Sequence, residues 1–153
     1  MRMVKMLVVI CAFFCCTACS LRSSSDQGSV TGTAVSKTAL SMVGTRYKYG
    51  GASPSKGFDC SGLVSWAYAQ HGLSLPRTAK AQSRSGKSVK KSNLQPGDVV
   101  VFKTRNGMHT GIYTGRGRFV HSPSTGKKVC EESLGARFWT EHFVSGRRHT
   151  ALN

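Results

Sequence analysis

A chain of 153 residues, 39% of them hydrophobic, has room for one small core and not for two. Seventeen Gly against 4 Pro, without a fixed period, exclude collagen-like and solenoid architectures. Twenty-two Lys and Arg against 6 Asp and Glu give a formal net charge of +16, which points to an anionic substrate or surroundings.

The chain opens on MRMVK, with two positive charges, and continues into the largely apolar run MLVVICAFFCCTA at residues 6–18. That run is shorter than the roughly 20 apolar residues of a membrane span and has the layout of a bacterial export signal, assigned to residues 1–18. CTAC at residues 16–19 resembles a lipoprotein processing box, which implies cleavage before Cys19 and its lipidation. Ser20 in the next position implies sorting to the outer membrane, facing the periplasm. Residues 19–33 are then a flexible tether and residues 34–153 the folded domain. Without Arg2 and Lys5 the mature chain carries +14, and of the 6 Cys only Cys60 and Cys130 remain inside the domain.

Residues 36–43, SKTALSMV, read as a short helix ended by Gly44, with Ala39, Leu40 and Val43 at helical spacing. A glycine-punctuated loop follows, containing Tyr47, Tyr49, Gly50, Gly51 and Gly57. LVSWAYAQHG then forms the one long helix, stopped by Gly72 and capped by Asp59, whose carboxylate can accept from the amides of Ser61 and Gly62. Cys60 therefore sits in the first helical turn. Beyond Leu94 the period changes. LQPGDVVVF is a turn and a strand, MHTGIYT and RFVHS are two more strands, and KKVCEE is a fourth. FWTEHFVSGRRH is open between a closing strand and a short helix. Helices first and antiparallel strands second make an α+β domain. Between Arg77 and Arg118 ten basic residues accompany one acid, Asp98, so this region should present a positive surface.

The strand pair from Met108 to His121 allows a register. GRG at 115–117 suits a three-residue loop with Gly117 left-handed, pairing Thr114 with Arg118, Tyr113 with Phe119 and Ile112 with Val120. Gly111 then faces His121, and His109 lies diagonally beside it on one face, while Ile112 and Val120 point to the core. A two-residue loop would put the two histidines on opposite faces.

A cysteine at a helix start has amides and the positive dipole end beside its sulfur, which favours the thiolate. His109, with the small Gly111 two positions on, suits the base. His121 suits the group that holds the base's ring in the right tautomer. The Cys60 sulfur should then lie within about 4 Å of a His109 ring nitrogen, allowing for a loose resting contact. Asp59 is not a base candidate, since it is committed to the cap, and Ser61 lacks the GxSxG context of a serine nucleophile. His71, His142 and His149 carry no assignment. No metal site is expected, because Cys60, His109 and His121 lack compact ligand spacing and a fourth ligand, and no cofactor motif is present. A disulfide between Cys60 and Cys130 would consume the nucleophile, so both are expected to be unpaired, with Cys130 on a strand.

FDCSG at 58–62, HTGIY at 109–113 and FVHS at 119–122, with RYKYGG at 46–51 and LQPGDVVVF at 94–102, resemble the NlpC/p60 family of cell-wall endopeptidases over residues 36–149. The resemblance implies a papain-like cysteine peptidase core and hydrolysis of amide bonds in peptidoglycan stem peptides. By motif it makes Cys60 the nucleophile, His109 the general base and His121 the third member. Tyr47 becomes a donor to the oxyanion, with Tyr49 as the alternative. The bond could be the D-glutamyl to diaminopimelate bond or the D,D-crosslink. A catalytically silent wall-binding lipoprotein, or an amidase or acyltransferase on the same core, is the other reading. Expected partners are peptidoglycan stem peptides and, through the N-terminal lipid, a membrane. Nucleic acid is not expected, since no binding motif accompanies the charge.

Overall fold

A computed structural model describes residues 32–150. The signal segment, Cys19 and the tether up to residue 31 lie outside the described residues. Helix α1 covers Gly32–Leu40. It starts earlier than the expected residue 36 and takes in Gly32 and Thr33, which had been assigned to the tether. The inward stripe is Val35 with Ala39, one turn apart and both buried, whereas Val43 falls beyond the helix and is half exposed.

A short hairpin of β1 (Ala52–Ser53) and β2 (Gly57–Phe58) leads into α2 (Cys60–Ala69). Asp59 caps α2 in extended geometry, its Oδ1 accepting from the Gly62 amide at 2.7 Å. Its second contact in the turn is the Ser61 hydroxyl at 3.3 Å, where the sequence suggests the Ser61 amide. Leu63, Val64, Ala67 and Tyr68 form the buried stripe of α2.

Next come α3 (Ala79–Gln82) and β3 (Lys87–Val89), then β4 (Val99–Thr104), β5 (Gly107–Gly115), β6 (Arg118–His121) and β7 (Cys130–Ser133). The segment left open between helix and strand contains both, α4 (Arg137–His142) followed by β8 (Phe143–Arg148). Strands β3 to β8 form one antiparallel sheet in the order β3-β8-β4-β5-β6-β7. Alternation along β4 divides the core. Val99 and Val101 face α1 and α2 together with Ile112 and Val120, while Val100 and Phe102 meet Phe119, Leu134 and Trp139 on the other face. The α+β class follows directly.

The turn between β5 and β6 differs from the expected one. The loop has two residues, Arg116 at φ +52° and Gly117 at φ +71°, the pair of left-handed conformations a type I′ turn requires. Gly115, not Thr114, pairs with Arg118, and the register shifts between Tyr113 and Gly115. This bulge absorbs the residue that a tighter loop would otherwise displace. Tyr113 still pairs with Phe119 and Ile112 with Val120. Gly111 faces His121, and a Cβ there would lie 2.7 Å from the Val120 carbonyl and 3.1 Å from the His121 Cβ.

Candidate active site

Cys60 opens α2 at the wall of a cavity of about 580 Å³, also lined by Tyr47, His109, Glu132, Phe138 and Trp139. His109 comes from β5 and His121 from β6, and their Nε2 and Nδ1 atoms are 2.8 Å apart, with the two rings at 89°. The other nitrogen of His121, Nε2, lies 3.2 Å from Oε1 of Glu132. Glu132 Oε2 in turn accepts from the Trp139 indole. Trp139 also stacks on the His109 ring at 5.5 Å between centroids. His121 is wholly buried and His109 nearly so.

Among the described residues no hydrogen bond joins Cys60 to His109; the two share the cavity wall. The partner of His109 is attached through Nε2, which leaves Nδ1 as its unengaged nitrogen. Tyr47 lines this cavity, whereas Tyr49 is 86% exposed. Burial, then the nearby Cys60 and Asp59, raise the Tyr47 phenol, so it stays a protonated donor at neutral pH.

The expected thiolate is corrected by burial. Desolvation raises the Cys60 thiol more than the Thr110 and Ser61 amides lower it, and Asp59 adds to the rise. His109 is lowered from the ordinary 6.5 to about 3 by burial and then by His121. Cys60 and His109 therefore rest as a neutral pair. Burial also raises the Glu132 carboxyl, but hydrogen bonds from Trp139 and His121 outweigh it and hold Glu132 below the usual range.

The low value for His109 has a consequence for stability. An unfolded histidine takes a proton near 6.5 and the folded one only near 3, so the unfolded state binds more protons between those values. Stability present above 6.5 should fall by on the order of 5 kcal/mol as pH drops through that window. Urea unfolding at stepped pH should show this loss, and His109→Gln should reduce it, leaving the smaller part that buried His121 contributes in the same direction.

Several residues near the site escaped the sequence reading. Arg77 clamps both oxygens of Asp59, at 2.9 and 2.7 Å, and also reaches Ser61 Oγ. The carboxylate is thus held by Arg77, the Gly62 amide and the Gly50 amide, which leaves it no role as a base. Buried Gln82 donates to the carbonyls of Ser61 and Pro76 and accepts from the Thr110 hydroxyl. It therefore ties the residue after Cys60 to the residue after His109. The third is Glu132. Cys130 opens β7 and is unpaired, as is Cys60. His71 bonds Thr38, His142 bonds the Phe138 carbonyl and His149 packs on Tyr68, all apart from the His109–His121 pair.

Residues 44–148 match the NlpC/P60 family, and the chain belongs to that family. Murein DD-endopeptidase MepH of Escherichia coli is 39% identical over 115 residues, covering 71% of this chain and 42% of MepH. The gamma-DL-glutamyl hydrolase of Bacillus subtilis is 41% identical over 122 residues, covering 77% of this chain and 29% of that protein. The solved NlpC/p60 domain of the peptidoglycan hydrolase SagA superposes with a TM-score of 0.69 at 30% identity, covering 78% of this chain and 100% of that one. An NlpC/P60 family protein from Bacillus cereus gives 0.73 at 31% identity, covering 78% and 40%. The chain spans about a quarter to a half of the length of the curated relatives it matches. The α+β, papain-like core is that of the NlpC/P60 family.

Proposed function

We propose that this chain is a thiol hydrolase of peptidoglycan stem peptides, with Cys60 as nucleophile, His109 as base and acid, and His121 as the group that orients His109. The observation that carries the reading is the line of hydrogen bonds from Glu132 through His121 to His109 at the cavity that holds Cys60. Proton positions along it follow from one end. Ionised Glu132 can only accept, so His121 carries its proton on Nε2 and offers a lone pair at Nδ1. His109 then donates from Nε2, which puts its own lone pair on Nδ1. A neutral imidazole with that nitrogen free is the form a base needs.

In the reaction, His109 Nδ1 takes the thiol proton as sulfur attacks the scissile carbonyl. The Cys60 amide and the Tyr47 hydroxyl hold the oxyanion. Protonated His109 passes its proton to the leaving amine, leaving an acyl thioester on Cys60, and then activates water to release the acyl group. Forming charge only during the reaction fits a pair that rests neutral.

The substrate class is supported by Lys127 on the cavity wall, a cation suited to the carboxylates of stem peptides, and by the names of relatives such as the murein DD-endopeptidase and the gamma-DL-glutamyl hydrolase. Either the D-glutamyl to diaminopimelate bond or the D,D-crosslink is the target. Purified uncrosslinked and crosslinked muropeptides separate the two, because mass analysis of new termini names the bond. If neither substrate is shortened, the proposal fails.

Attachment to the outer membrane through lipidated Cys19 completes the proposed setting. Cys19→Ser should abolish labelled-palmitate incorporation and move the protein out of the membrane fraction. Among the described residues no helix is long and apolar enough to cross a membrane.

A further inference from the structure

Behind the His109–His121 contact, β6 and β7 bring a second set of side chains together. His121 and Cys130 are register partners on the two strands, and Glu132 lies two residues along β7 on the face of Cys130. His121 Nε2, Cys130 Sγ and Glu132 Oε1 form a triangle. Its edges are 3.7 Å from sulfur to nitrogen, 3.6 Å from sulfur to oxygen and 3.2 Å from nitrogen to oxygen. A tetrahedral Zn²⁺ with ordinary bond lengths separates the same atom types by about 3.6, 3.6 and 3.4 Å. The side chains already stand as one face of that tetrahedron.

The reaction described above uses His121 and Glu132 but gives Cys130 no task. The hydrogen bond from Trp139 to Glu132 Oε2 turns Oε1 toward the triangle, as an outer-shell donor orients a ligand. Glu132 also lines the cavity, which supplies an entry path and room for water as a fourth ligand. Lys127, close enough to disfavour positive charge on His121, is the opposing group.

We propose that His121, Cys130 and Glu132 form a site for a thiophilic divalent cation such as Zn²⁺, and that its occupancy reversibly switches the hydrolase off. The second half rests on the proposed function. Metal takes the lone pair of His121 Nε2, so the proton of that neutral ring moves to Nδ1. His121 then donates to His109 Nε2, and His109 carries its proton on Nδ1, where it cannot accept one from Cys60. Both rings stay neutral. The proton lost to solvent is that of the Cys130 thiol, which binds as thiolate. No contact with Cys60 is needed.

Co²⁺ titration of the chain with Cys11, Cys15, Cys16 and Cys19 replaced by serine tests the site apart from activity, because thiolate coordination gives a charge-transfer band and only Cys60 and Cys130 then remain as thiols. Cys60→Ala, which removes the other domain thiol, should bind one equivalent with that band, and Zn²⁺ should displace it. Adding Cys130→Ser should abolish the band. If the band persists, or is absent in Cys60→Ala, the site is overturned. Cys130→Val provides a second variant should the serine form fold poorly. In turnover assays Zn²⁺ should inhibit the wild type at least about tenfold, reversibly with chelator. Cys130→Ser should match wild-type turnover without metal and need about tenfold more Zn²⁺ for the same inhibition. Stoichiometric binding without inhibition would overturn the switch. A protein inactive on muropeptides that still shows the band would refute the proposed function and uphold the metal site.

Discussion

Cys60→Ala should lower muropeptide hydrolysis by at least about three orders of magnitude while leaving the fold in place, since nucleophile and base act as a unit. Cys60 stands in the first turn of α2, whose cap is fixed by Asp59 and Arg77 rather than by the thiol. Alanine is the best helix former, and the substitution removes a group whose ionisation burial already opposes. Circular dichroism and urea unfolding should therefore stay close to wild type. Substantial turnover by the variant would mean that a nucleophile other than Cys60 carries the reaction.

His109→Ala should cost nearly as much activity, because nothing else at the cavity stands at the end of a line that sets its proton. Neighbouring positions grade the effect. His121→Ala keeps the base but loses its orientation, so more turnover should survive. It should also lose more stability, since His121 is fully buried between Phe119 and Trp139 with centroids 4.8 and 4.9 Å away. Glu132→Gln is the sharper probe of positioning. An amide can donate as well as accept, so the tautomers of His121 and His109 are no longer dictated. We expect kcat to drop about tenfold to a hundredfold with KM little changed, and Glu132→Asp to restore part of it. A change confined to KM would mean that Glu132 binds substrate instead.

The run VVVF was readable as a strand because it is apolar on both faces and buried on both, and the pairing of Ile112 with Val120 because a one-residue slip would turn them away from the helix-facing core. That same constraint put His109 and His121 on one face even though the expected loop was wrong: the bulge at Thr114 changed the turn and left the apolar register intact. Glu132 was not readable. Glu131 and Glu132 are adjacent acids after a loop of indefinite path, and only the register of β7 turns Glu132 to His121 while Glu131 goes to Arg118 and Thr114. Arg77 read as one of ten surface cations, since its pairing with Asp59 spans 18 residues of chain. Elements α3 and β3 are too short, and β3 too exposed, to leave a periodic signal. The charge state of Cys60 was misjudged because sequence displays the helix start but not the depth of burial that outweighs it.

Digestion of purified sacculi by the wild type and by Cys60→Ala, side by side, tests the central claim most directly. The wild type should release soluble fragments whose new termini lie in the stem peptides, with the glycan strands intact, and the variant should release none above buffer. Cleavage of glycan by the wild type, or equal peptide release by both proteins, would contradict a Cys60-dependent hydrolysis of stem-peptide bonds.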